Sequence, residues 1–167
     1  MNQITRYNME LNEIYQLLKD KFGDAIIEMN DQQPVDPYII ISPEKLFDIC
    51  HTLRDHDQTQ FDYLMSLSGM DYGENVGVVY HLYSMELKHK LVIKVMVSKD
   101  KPVVPSVERI WKSADWHERE AYDLVGIEFE GHHNMIRILC PYDWEGYPLR
   151  KDYVTPETYH GMKIGYE

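Results

Sequence analysis

The sequence is short of cysteine, of positive charge and of long apolar runs. Cys50 and Cys140 are its two cysteines, far apart and outside any C-x-x-C pair. Zinc-ribbon and iron–sulfur readings therefore fail on ligand count. Two free thiols in a reducing compartment are expected. Seventeen basic residues face 28 acidic ones, a net charge of −11. That balance argues against nucleic acid as a partner and against direct docking on anionic lipid. No stretch approaches the ~20 apolar residues that cross a bilayer. The opening MNQITRYNMELNEIY lacks the apolar segment of a secretory signal. The expectation is a soluble, cytoplasmic protein that reaches a membrane only through a partner. The glycines form neither G-x-G-x-x-G nor a P-loop, and no Ser or Cys sits in a nucleophile elbow.

What is present suits one α+β domain: 167 residues, 44% of them hydrophobic, enough for a core without disulfides. Leu11, Ile14, Tyr15 and Leu18 recur at helical spacing and predict a helix over 9–22, stopped by Gly23. Short strands are predicted over 25–29 and 38–41, the second apolar throughout and hence central. Ser42-Pro43-Glu44 reads as a capped helix start, with Leu46, Ile49, Cys50 and Leu53 as its buried stripe. Period-two spacing then predicts strands over 61–72, 76–85 and 90–98, an antiparallel sheet covered on one side. Val107, Ile110, Trp111 and Ala114 suggest a second capped helix after Pro105-Ser106. A break near residues 113–115, with Asp115 capping a new helix that ends at Gly126, is favoured over one continuous helix. Ile127 to Glu130 alternates like a short strand. Beyond residue 140, Pro141, Gly146, Pro148 and Pro156 interrupt any regular element. So aperiodic a tail is expected to lie along something else, and its aromatics suit an interface.

Residues 116–153 carry the densest chemistry. His117-Glu118 is no zinc-protease motif, because Ala121 stands where the second histidine is required. Glu118, Glu120 and Asp123 read as an ion-paired helix surface rather than an acid–base cluster, since Arg119 in their midst neutralises them. His132-His133 has no third histidine or cysteine at fixed spacing and reads as a turn or interface element. Arg137, Arg150 and Lys151 suit pairing with carboxylates, across an interface or internally with Asp123, Asp143 or Asp152.

The order Glu118-Arg119-Glu120, Tyr122-Asp123, Gly126-Ile127, Phe129, Gly131-His132, then Arg137-Ile138-Leu139, Asp143-Trp144, Gly146 and Pro148 to Tyr153 is a recognisable pattern. It resembles the signature of the 30-kDa-type subunit of proton-pumping NADH–quinone oxidoreductase, respiratory complex I. His133 stands where the pattern has proline. The resemblance implies a mixed or antiparallel α+β domain over 1–140 and an extended, loop-rich tail over 141–167 wrapping a partner. It implies a non-catalytic scaffold subunit of the peripheral arm, on the cytoplasmic side of the membrane. FMN and iron–sulfur clusters would lie in partner subunits, with none in this chain. The implied partner is the large, 49-kDa-type hydrogenase-like subunit. The implied interface residues are Glu118, Arg119, Glu120, Tyr122, Asp123, Gly131, His132, Arg137, Trp144, Arg150, Lys151, Asp152 and Tyr153. Two rivals stand beside this reading: a homologous subunit of a ferredoxin-dependent or membrane-bound hydrogenase-type complex, and a free-standing metal enzyme built on the His and carboxylate cluster.

Overall fold

Alternating apolar residues in the middle of the chain close into one five-stranded sheet. The computed structural model describes residues 9–33 and 35–164. The elements run α1 (Leu11–Phe22), β1 (Ile26–Asn30), β2 (Tyr38–Ile41), α2 (Leu46–Asp55), β3 (Tyr63–Asp71), β4 (Asn75–Tyr83), β5 (Lys90–Ser98), β6 (Val103–Pro105), α3 (Ala114–Val125) and β7 (Glu128–Glu130). A small hairpin, β8 (Thr158–Tyr159) and β9 (Met162–Lys163), lies near the end. The expected tail beyond residue 164, and residues 1–8 and 34, lie outside the described residues. No helix among the described residues is long and apolar enough to cross a membrane.

Strand order is β1-β2-β5-β4-β3. The α+β class and the helix-flanked mixed sheet agree with the sequence reading, but the sheet is not purely antiparallel. β2 pairs with β5 in parallel, Ile39 opposite Ile93 and Ile41 opposite Val95, while the other neighbours are antiparallel. The chain must leave β2, traverse α2, β3 and β4, and return beside it. Ile39, Ile41, Val76, Val78, Tyr80, Leu82, Ile93 and Val95 form the buried face, against Ile14 and Leu18 of α1 and Ile49 and Leu53 of α2. Cys50 is buried there, as expected of a core thiol. Gly69 of β3 lets α3 approach closely: a Cβ there would stand 3.1 Å from that of Ala121.

Three local expectations are corrected. Strand β3 begins at Tyr63, because Phe61 is drawn into the core and its carbonyl accepts Trp111 Nε1–H at 2.9 Å. Ser42 does not cap the backbone; its hydroxyl bonds the Glu44 carboxylate, and a short 3₁₀ turn precedes α2. No helix forms over 107–113, although Val107, Ile110, Trp111 and Ala114 are buried as their spacing implied. These residues make single turns, with the Val107 N–H held by the Glu118 carboxylate at 2.7 Å. The favoured break before α3 is present. Its N-cap position is Ser113, with no side-chain cap, and Asp115 lies inside the first turn.

Candidate functional site

Helix α3 and the chain after it are assembled around two carboxylates that solvent does not reach. Asp123 is the first. Its Oδ2 accepts the backbone N–H groups of Ile138, Leu139 and Cys140 at 3.0, 2.7 and 2.9 Å. Its Oδ1 accepts Arg137 Nη1 at 2.7 Å, and Arg137 Nη2 reaches the Gly146 carbonyl at 2.9 Å. Burial pushes the Asp123 carboxyl up. The N–H groups of Cys140 and Leu139, with the Arg137 guanidinium, more than offset that, so its pKa lies below the ordinary carboxylate range. One side chain thus fixes an irregular loop that has no ladder to satisfy its backbone.

Glu118 is the second, accepting Ser106 Oγ–H at 2.6 Å and Val107 N–H at 2.7 Å. Burial, opposed by these two bonds and aided by the charges of Glu108 and Asp115, pushes its carboxyl up to about 7. Glu118 and Asp123 are therefore interior braces of the domain, correcting their reading as an ion-paired helix surface. Of the two pairings left open for Arg137, the internal one with Asp123 is formed.

The C-terminal segment closes α3. Gly126 holds φ 76°, and a Cβ there would stand 2.5 Å from the Tyr147 ring. The space instead admits Arg150, whose Nε donates to the Val125 carbonyl at 2.7 Å and Nη2 to that of Gly126 at 3.2 Å. Leu149 N–H reaches the Leu124 carbonyl at 2.9 Å. A guanidinium over the last carbonyls also meets the negative end of the helix dipole. Tyr147 meets two guanidinium groups, Arg150 and Arg137 at 4.6 and 5.3 Å from its ring centre, with Tyr122 edge-on. Trp144 Nε1–H donates to the Tyr153 hydroxyl at 3.0 Å. Lys151 N–H bonds Asp71, and Asp152 pairs with Lys99 at 3.1 Å. Arg119 lies over Trp116 and donates to the Ile136 carbonyl, while Glu120 is exposed beside Gly69 and Leu149. Gly131 is an exposed turn residue at φ 84°.

His132 sits in a cage that the sequence did not reveal. Its Nε2 lies 3.2 Å from Asp115 Oδ1, 3.5 Å from Glu108 Oε2 and 4.0 Å from Glu118 Oε2. Its ring stacks on His133, whose Nδ1 meets Glu108 Oε2 at 2.6 Å. Glu108 comes from the turn after β6, which the parallel β6–β7 pairing and the bonds of Glu118 to Ser106 and Val107 bring here. No spacing rule connects it to the histidines. Sequence reasoning also missed Ser106 as a partner of Glu118; among the outward-facing apolar residues it named Tyr142 with the tail's interface aromatics, but not Trp116, Ile136, Leu139, Leu149 or Val154.

The ordered run of motif residues thus frames one end of the domain, and the comparisons agree with that pattern. Residues 39–159 match the profile of the family described as respiratory-chain NADH dehydrogenase, 30 Kd subunit. The chain belongs to this family. An NADH-quinone oxidoreductase subunit of this type from Chloroherpeton thalassium is 50% identical over 155 residues, which is 91% of this chain and 64% of that protein. Its counterpart from Chlorobium phaeobacteroides is 44% identical over 155 residues and 93% of its own length. The chain therefore spans just under two thirds of the first of these relatives and nearly all of the second. Among solved structures, a trypsin-resistant fragment of Nqo5 superposes with TM-score 0.63 at 26% identity, covering 75% of this chain and 99% of the fragment. A chain of an archaeal membrane-bound sulfane sulfur reductase shares the fold, with TM-score 0.70 at 24% identity over 86% of this chain and 85% of that one. As a member of the 30 Kd subunit family, the chain departs from the expected motif at His133, and the surrounding fold accommodates that residue at an exposed position.

Proposed function

We propose that this chain is a non-catalytic structural subunit of the peripheral arm of an NADH–quinone oxidoreductase. It supports electron transfer from NADH to quinone coupled to proton translocation, with FMN and iron–sulfur clusters carried by partner subunits. Its partner is the large hydrogenase-like subunit, and it is held through the complex on the cytoplasmic side of the membrane.

One observation carries this reading. Glu118, Asp123, Arg137, Arg150 and Asp152 find their partners within the chain, while Leu139, Tyr142 and Val154 are 61%, 93% and 84% exposed. Exposed aliphatic and aromatic side chains on an internally hydrogen-bonded frame are what a protein interface presents. Glu118, Asp123, Arg137 and Arg150 act from behind by holding the presenting loops. Arg119, Glu120, Tyr122, Gly131, His132, Trp144, Lys151, Asp152 and Tyr153 complete the frame and its rim. The outer face of the tail from residue 141 on lies along the partner's surface.

The test replaces Leu139 and Tyr142 together by Asp and measures retention in the purified complex and its quinone reductase activity. Both side chains are solvent-facing, so the isolated domain should melt as the wild type does. Loss of the chain from the complex is expected; normal assembly with normal activity would sink the reading. Co-purified subunits decide the electron donor. NADH- and flavin-binding subunits mark this assembly, and their replacement by hydrogenase-type or ferredoxin-dependent partners marks its relatives.

A further inference from the structure

We propose that Glu108, Asp115, His132 and His133 form a binding site for one divalent transition-metal ion of the zinc type. Each residue offers one ligand atom, and these atoms all lie within 4.8 Å of one another. Two ligands on one tetrahedral zinc stand about 3.3–3.5 Å apart, given metal–ligand bonds of about 2.0–2.2 Å. His132 Nε2 already lies 3.2 Å from Asp115 Oδ1 and 3.5 Å from Glu108 Oε2. The His133 Nδ1 to Glu108 Oε2 contact, at 2.6 Å, has to open for both to ligate. Two imidazoles with two carboxylates suit zinc, cobalt or nickel. Calcium and magnesium prefer oxygen alone.

Charge and burial point the same way. The His132 side chain is closed to solvent and faces carboxylates of Glu108, Asp115 and Glu118. Asp115 Oδ1 is shielded from solvent and makes no hydrogen bond, facing His132 Nε2 outside hydrogen-bond alignment. Three carboxylates converging on one imidazole in a poorly solvated pocket gain from a dication among them. The ligands are held by separate, anchored segments: the turn after β6, the first turn of α3 and the loop after β7. Glu118 ties the first two through Ser106 and Val107, and the β6–β7 pairing ties the first to the third. Binding therefore asks for side-chain adjustment, with the backbone already in place.

Ligation has a specific proton consequence. His132 Nδ1 accepts Asn134 N–H at 3.0 Å, so the neutral ring carries its proton on Nε2, directed at the Asp115 carbonyl at 3.3 Å. A metal on Nε2 displaces that proton. The ring then carries its proton on Nδ1, and the Asn134 N–H turns to solvent, to which Asn134 is exposed. The site does not depend on the assembly role proposed above.

The experiment uses the full chain, stripped with chelator and titrated with Zn²⁺ against a chromophoric competitor, then with Co²⁺. One tight equivalent is expected, with a four-coordinate Co²⁺ spectrum and a shift of the His132 tautomer in ¹⁵N spectra. Losing one ligand should weaken binding at least about tenfold in His133→Ala and in Asp115→Asn. His133 is 63% exposed, so its variant keeps the fold. His160→Ala, which removes an exposed imidazole paired with Asp143, should leave the tight equivalent unchanged. Wild-type affinity in both His133→Ala and Asp115→Asn, loss in His160→Ala, or no tight equivalent in the wild type would overturn the proposal.

Discussion

Replacing Asp123 by Asn tests the central brace. The substitution keeps the shape and removes the charge. Asp123 accepts three backbone N–H groups on one oxygen and Arg137 on the other. An amide can turn its oxygen toward only one of these sets. If it faces the three N–H groups, its own NH₂ points at the guanidinium. Arg137 is largely buried, so its charge is then stranded. Removing one partner of a buried pair costs about 3–5 kcal/mol. In a chain of this size that corresponds to a melting point lower by roughly 10 °C. The pH dependence is a sharper check. The folded pKa of Asp123 is depressed, so its stabilisation is fully present above its unfolded value of about 3.9. It is lost as pH falls through the folded value. The gap between wild type and variant in urea unfolding should therefore be full at pH 7 and shrink toward pH 3. A loss below about 1 kcal/mol at pH 7, or a gap unchanged on acidification, would refute the argued role.

Other perturbations follow from the same contacts. Gly126→Ala places a Cβ at φ 76° against Tyr147 and Arg150. It should cost about 2–4 kcal/mol and hasten protease cleavage within residues 141–153, read by limited proteolysis. Glu118 titrates the opposite way to Asp123. Its folded pKa of about 7 is raised, so the proton-bound native state is favoured and stability falls as pH rises from about 4.5 to 7. In chelated buffer, Glu118→Gln should remove most of that slope, about 3 kcal/mol across the window, seen in unfolding curves at pH 5 and 8. Cys50 is buried with its thiol pushed up by burial, whereas Cys140 is partly accessible. A thiol reagent should label Cys140 first and Cys50 only on unfolding, followed by mass spectrometry.

How much of this was legible in the sequence depended on the range of the interaction. Helix α1, strands β2 and β5 and the core thiol Cys50 were readable because they answer to local periodicity. The stripe Val107, Ile110, Trp111 and Ala114 was read correctly as buried and wrongly as a helix. Periodicity reports which side faces the core, while Glu118, eleven residues away from Val107, decides where that N–H goes. The motif charges were recognised as a set, yet their partners were not. Arg150 reaches back 25 residues to Val125, and Glu108 meets His133 across the same interval. The parallel contact between β2 and β5 has no spacing signal, because the intervening α2, β3 and β4 set it.

The closing of α3 by Leu149 and Arg150 has a consequence for biosynthesis. The last carbonyls of that helix receive their donors from residues made more than twenty positions later. A nascent chain paused before Leu149 can bury its sheet, but the carbonyls of Leu124, Val125 and Gly126 then lack the donors that residues 149 and 150 bring. Closure of α3 therefore waits for residues 149–150, and a chain cut short before them keeps a frayed helix end for quality-control proteases to find.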